Sequence, residues 1–139
     1  IFGSLKLGLV AILPNTFPML TVFGLMGWLD FNLDITTLMT APIIIGIAVD
    51  DTIHFITHYR LSLLKGASIS EAIHSTLHEV GQAIIFTTLI LMSIFLFFIP
   101  VSHVGVSRFS ILAVIAVFSA LLADLFLLPA LCRVLRVRV

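Results

Sequence analysis

Gly46-Ile47-Ala48-Val49-Asp50-Asp51-Thr52-Ile53-His54-Phe55 sets two adjacent carboxyls inside an otherwise greasy run. That run extends over residues 37–58. It is long enough to cross a bilayer, which takes a helix of about 20 mostly apolar residues. An ionisable group at that depth costs about 2.5–3.5 kcal/mol on insertion scales, so it is rarely accidental.

Outward from this run, three more stretches qualify as spans: residues 7–28, 81–99 and 109–131. The composition agrees. Of 139 residues, 60% are hydrophobic and 10% charged, against about 45–50% apolar and about 25% charged in soluble domains. Mean hydropathy is +1.27. The expected fold is all-α: a polytopic membrane helix bundle of four transmembrane helices plus a short cytoplasmic interfacial helix. Its solvent and first partner is the lipid bilayer.

That interfacial helix is expected over residues 69–80. Ser68-Ile69-Ser70-Glu71 reads as a capping box after the break at Gly66. Ile69, Ile73, Leu77, Val80 and Ile84 then form one apolar stripe at helical spacing.

Basic residues set the orientation. Lys6, Arg60, Lys65, Arg133, Arg136 and Arg138 fall on one side if the spans alternate, whereas Arg108 stands on the other with Asp30 and Asp34. The positive-inside rule puts both ends of the chain in the cytoplasm. The chain opens at Ile1 without a signal-peptide pattern and reads as a piece of a longer membrane protein.

The membrane-embedded polar groups form a layer. Counting about 1.5 Å per residue from the cytoplasmic span ends puts Asp50 and Asn15 ~12 Å deep, Asp124 ~10 Å and Thr87 ~9 Å. On the second span Gly46, Asp50, His54 and His58 follow at i, i+4, with Asp51 about 100° round from Asp50. Gly46 has no side chain and would let a neighbouring helix pack closely. Two adjacent carboxyls in a low dielectric do not readily both ionise, so one is expected to hold a proton. His54 and Thr87 are the nearest expected partners.

Plainer readings stand beside these. Asp51 would equally serve as a packing residue, and Asp124 as a hydrogen bond from the fourth span to the second. Thr87 and Thr88 would simply bond back to their own helix. Pro14 and Pro18 would give a tolerated bend. His54/His58 and His74/His78 have a spacing that can hold zinc, but no pattern supplies a third ligand, so no metal is expected. Cys132 is a single, inert thiol. No nucleophile–base pair or phosphate loop appears, which excludes an enzyme reading, and no basic block suggests nucleic acid.

In order along the chain, these motifs resemble the RND superfamily of exporters, on the branch with MmpL-type lipid transporters, hopanoid transporters and Patched-like sterol-sensing proteins. Gly46 through Asp50-Asp51 resembles the Gly-x-x-x-Asp motif of the fourth helix in a six-helix half. Leu13-Pro14-Asn15 through Pro18 is similar to the start of the third, and Gly81 through Thr87 to the start of the fifth. Leu121-Leu122-Ala123-Asp124 through Leu128-Pro129-Ala130-Leu131 is similar to the close of the sixth. The resemblance implies the last four helices of one half, the C-terminal one by its basic tail.

It implies a proton-driven exporter of lipids or other hydrophobic molecules in a prokaryotic cytoplasmic (inner) membrane. Asp50 would be the proton-relay carboxyl and Asp51 its neighbour in the relay, with protons as coupling ion and no other cofactor. His54, Thr87, Asp124 and Asn15 would support them. Partners would be the hydrophobic substrate and the remaining helices and extracytoplasmic domains of the same protein, with a homo-oligomer left open. Two alternatives stay open: a sterol-sensing-type module that binds lipid without pumping, and a structural half-size subunit.

Overall fold

The computed structural model describes residues 5–32 and 34–136. Arg138 and the side chain of Lys6, both used in the reading above, lie outside the described part. The described residues form helices with no strand: α1 (Leu5–Trp28), α2 (Ile35–Leu38), α3 (Thr40–Leu64), α4 (Ile69–Phe98), α5 (Val104–Leu122), a π-turn (Ala123–Leu127) and α6 (Leu128–Val134). Four helical stretches are long and apolar enough to cross a membrane: Gly8–Trp28, Ile35–Leu64, Ile69–Phe98 and Val104–Val134. The last is the most buried and α4 the least.

Two apolar cores hold the bundle. One joins Val10, Ala11, Phe55, Ile56, Tyr59, Ala72, Leu128 and Cys132. The other joins Val22, Met26, Ile44, Leu112 and Ala116. α1 therefore runs from the first core to the second, and α3 and the α5–α6 stretch run back. From the second core towards the first, α3 and α5 present buried small residues, Ala48, Ala113, Ala116 and Ala120. Lipid gives no hydrophobic drive for helices to associate, so small faces that permit close van der Waals contact carry the packing.

At the end nearest the second core, Asp34 caps α2. Its carboxylate accepts from Thr37 N at 2.7 Å, and the Thr37 hydroxyl accepts from Asp34 N at 2.9 Å. The backbone bond holds the Asp34 carboxyl below its ordinary pKa. Gly105 at the start of α5 is a close approach: a Cβ there would lie 3.0 Å from Thr36 Oγ1. The Arg108 guanidinium covers the Phe31 ring at 5.2 Å.

One element differs from expectation. Residues 69–80 do not form a separate interfacial helix; they are the first turns of α4, which runs unbroken for 30 residues, about 45 Å. Ser68 and Glu71 make the expected capping box. The apolar stripe, however, packs inward: Ile73 and Leu77 lie on the first core. Gly81 does not break the helix. It is buried, and a Cβ there would touch Leu125 at 3.4 Å. Helix α3 likewise continues past the predicted end of its span to Leu64, and the overhanging ends of α3 and α4 cover each other's apolar faces.

Candidate functional site

A polar knot lies between the two cores. Asn15 of α1 falls between Ala11 and Val22, Thr52 of α3 between Ile44 and Phe55, and Asp124 of the π-turn between Ala116 and Leu128. The Thr52 hydroxyl is 3.0 Å from Asn15 Oδ1 and 2.8 Å from Asp124 Oδ1. Both Thr52 and Asp124 are 1% exposed. Asp124 Oδ2 has no hydrogen-bond partner among the described residues.

The backbone explains why Asp124 reaches this point. Pro129 has no N–H to return to the carbonyl of Leu125, and its ring crowds that carbonyl. The chain answers with one wide turn, in which Leu128 N bonds Ala123 O. π-turns of this kind cluster at functional sites. On α1, Pro14 and Pro18, which flank Asn15, likewise leave the carbonyls of Val10 and Pro14 without their usual donors.

The aspartate pair takes two different settings. Asp50 points away from the knot; its side chain is 74% exposed, with Oδ1 3.7 Å from His54 Nε2. Asp51 is half-buried. It lies within electrostatic reach of Asp50 and His54 on its own helix and of Asp124 across the bundle. Three carboxyls thus step inward, from open to enclosed. The two outer ones line a cleft of about 420 Å³ with His54, His58, Glu79 and Thr87.

Thr87 bonds back to Ala83 O and Ile84 O, within its own helix. Gly46 lies on the same open face as Asp50, and a Cβ added there would meet nothing within 4 Å. No described helix supplies the close approach expected at Gly46. His74 and His78 are exposed. Among the described residues, no three of His, Cys, Asp and Glu converge as metal ligands.

Sequence reasoning missed two groups. Thr52 is the node of the knot and was passed over beside its acidic neighbours. The signal was present: Ile44, Ala48, Thr52, Phe55, Ile56 and Tyr59 repeat at helical spacing and are all buried. That stripe, not the Gly46–Asp50–His54 face, turns to the bundle interior. The second is His58, which joins α3 to α4. The Thr76 hydroxyl donates to Ala72 O at 2.7 Å, so it accepts from His58 Nδ1 at 3.0 Å. His58 Nε2 then faces Glu79 Oε2 at 3.0 Å. This link rests on a long-range pairing that no local pattern announces.

Four helices long and apolar enough to span, with carboxyls between them, define an integral membrane helix-bundle domain. The AcrB/AcrD/AcrF family profile matches residues 7–137. The chain belongs to that family, as the RND-type motifs imply. It is 30% identical over 102 residues to the hopanoid transporter HpnN of Burkholderia multivorans, covering 73% of this chain and 12% of that protein. It is 26% identical over 136 residues to the solvent-resistant pump membrane transporter SrpB of Pseudomonas putida, covering 93% of this chain and 13% of that protein. The chain therefore spans about one-eighth of the length of either relative. No solved structure matches it significantly.

Proposed function

We propose that this bundle is the proton-handling part of an exporter driven by the proton-motive force, with lipids or other hydrophobic molecules as cargo. The carrying observation is the inward series Asp50, Asp51, Asp124, which leads from an open cleft to a buried knot. In this reading Asp50 loads and releases the proton and Asp51 is its partner, with protons as the coupling ion and no other cofactor. The names of the relatives, a hopanoid transporter and a solvent pump, support a hydrophobic cargo.

The open face of Gly46, Asp50 and His54 is where the remaining helices of the full-length protein would pack. The cytoplasmic end is the one carrying Arg60, Lys65 and Arg133, in a prokaryotic inner membrane. Extracytoplasmic domains of the same protein would meet the cargo.

A second reading has one observation in its favour. An apolar groove of about 440 Å³ runs between Phe17 and the Leu122–Ala130 stretch. A lipid-binding regulatory module without pumping would use such a groove. Proton-linked transport by the full-length protein in vesicles separates the two. Coupling lost in Asp50→Asn supports the exporter; a lipid-binding response indifferent to the gradient supports the module.

A further inference from the structure

Counting hydrogens in the buried knot assigns a second place for the proton. Three oxygens stand in a row: Asn15 Oδ1, Thr52 Oγ1 and Asp124 Oδ1, separated by 3.0 and 2.8 Å. A threonine hydroxyl carries one hydrogen and can donate it once. With Asp124 ionised, that hydrogen goes to the carboxylate, and Asn15 Oδ1 is left facing a bare oxygen. With Asp124 protonated, every contact is satisfied: Asp124 O–H donates to Thr52 Oγ1, and Thr52 O–H donates to Asn15 Oδ1.

The surroundings point the same way. Asp124 is 1% exposed, and its Oδ2 has no partner among the described residues. Buried charges are paired or else neutralised. Among the described residues no cation pairs with it: α1 carries no ionisable side chain between Gly8 and Trp28, and α4 none between Gln82 and Phe98. Arg108 of α5 lies over Phe31, and Arg133 of α6 is exposed. From α3, the ionisable group that faces Asp124 is Asp51, itself an acid. His54, the basic group nearest to Asp51, stands beside Asp50 on the open face.

We infer that Asp124 is a buried proton-binding site, and that Thr52 transmits its occupancy to Asn15 by reversing the direction of its hydrogen bonds. Loss of the Asp124 proton turns the Thr52 hydroxyl from Asn15 to the carboxylate. The Asn15 amide must then rotate to offer Nδ2–H to Thr52 Oγ1. That rotation falls between Pro14 and Pro18, where α1 already lacks two of its backbone bonds. Protonation of one carboxyl thus changes what holds α1 to α3. What the proton is for rests on the exporter reading; where it sits does not.

The test is infrared spectroscopy of the full-length protein in lipid nanodiscs, titrated with pH. A carbonyl band of a protonated carboxyl is expected in the wild type, lost in Asp124→Asn and kept in Asp50→Asn. Thr52→Val shifts its frequency, and Thr52→Ser returns it. A band unmoved by Asp124→Asn, or a frequency indifferent to Thr52→Val in a protein that still melts cooperatively, overturns the assignment. Transport that ignores the proton gradient while the Asp124 band persists removes the exporter reading and leaves the buried proton site standing.

Discussion

Thr52 and Asp124 stand 72 positions apart in the chain, and their oxygens meet at 2.8 Å in the middle of the bundle. This contact ties α3 to the π-turn at the level where the two apolar cores part. Helices in lipid gain little from apolar contact with one another, so an interhelical hydrogen bond at this depth fixes which faces meet.

Thr52→Val keeps the shape of the side chain and removes the hydroxyl. It leaves Asp124 Oδ1 and Asn15 Oδ1 without their shared partner in a buried site. A loss of about 1–3 kcal/mol is expected, the range for a buried polar group left unpaired. Denaturant or thermal unfolding of the protein in detergent reads it directly. Thr52→Ser should recover most of the loss, because the hydroxyl is what matters.

Gly105 predicts a packing effect at the opposite end. A Cβ there would lie 3.0 Å from Thr36 Oγ1 and 3.3 Å from the His103 ring. Gly105→Ala should therefore destabilise by about 1–3 kcal/mol, the usual cost of overpacking. Gly24→Ala is the matched control, since a Cβ there meets nothing within 4 Å. Its melting temperature should stay level or rise slightly, as Ala is the better helix former.

The cap at Asp34 gives a pH dependence with a definite sign. Hydrogen bonds from the Thr37 and Thr36 backbone and from the Thr37 hydroxyl lower its pKa in the folded state. A lowered folded value means stability that is fully present above the unfolded pKa. It is lost as pH falls through the folded one. Asp34→Ala should lower the melting temperature at neutral pH and remove this acid-side loss. Asp34→Ser should keep the cap without the titration. Melting curves from neutral pH down to the acid limit of the detergent system check both.

His58 and Glu79 predict a modest coupling between α3 and α4. The His58 ring is a quarter exposed and the Glu79 side chain mostly so, at 25% and 64%. A double-mutant cycle with His58→Ala and Glu79→Ala should return about 0.2–1 kcal/mol, the range of partly exposed pairs. The His58→Ala single variant should lose more than that, because it also gives up the bond to Thr76.

Much of the fold was legible in the order of residues, because lipid imposes a simple rule. Every backbone group must bond within its own segment, so long apolar runs become helices. The four runs follow from that, and the Ser68–Glu71 box follows from its capping spacing. The identity of the inward face did not. Asp50 and His54 drew attention because charge is costly, yet the face 200° round, through Ala48 and Thr52, is the one the helices bury. The π-turn was equally hidden: Pro129 is visible in sequence, but a wide turn and a plain kink are both answers to it.

The Asp50→Asn, Asp51→Asn and Asp124→Asn variants of the full-length protein, reconstituted in vesicles under an imposed proton gradient, test the central claim most directly. Gradient-driven export of a hydrophobic cargo is predicted for the wild type. Coupling should be lost in Asp50→Asn and Asp124→Asn, with each protein still folded, and weakened in Asp51→Asn. Export that follows the gradient equally in the wild type and in all three variants would contradict the account.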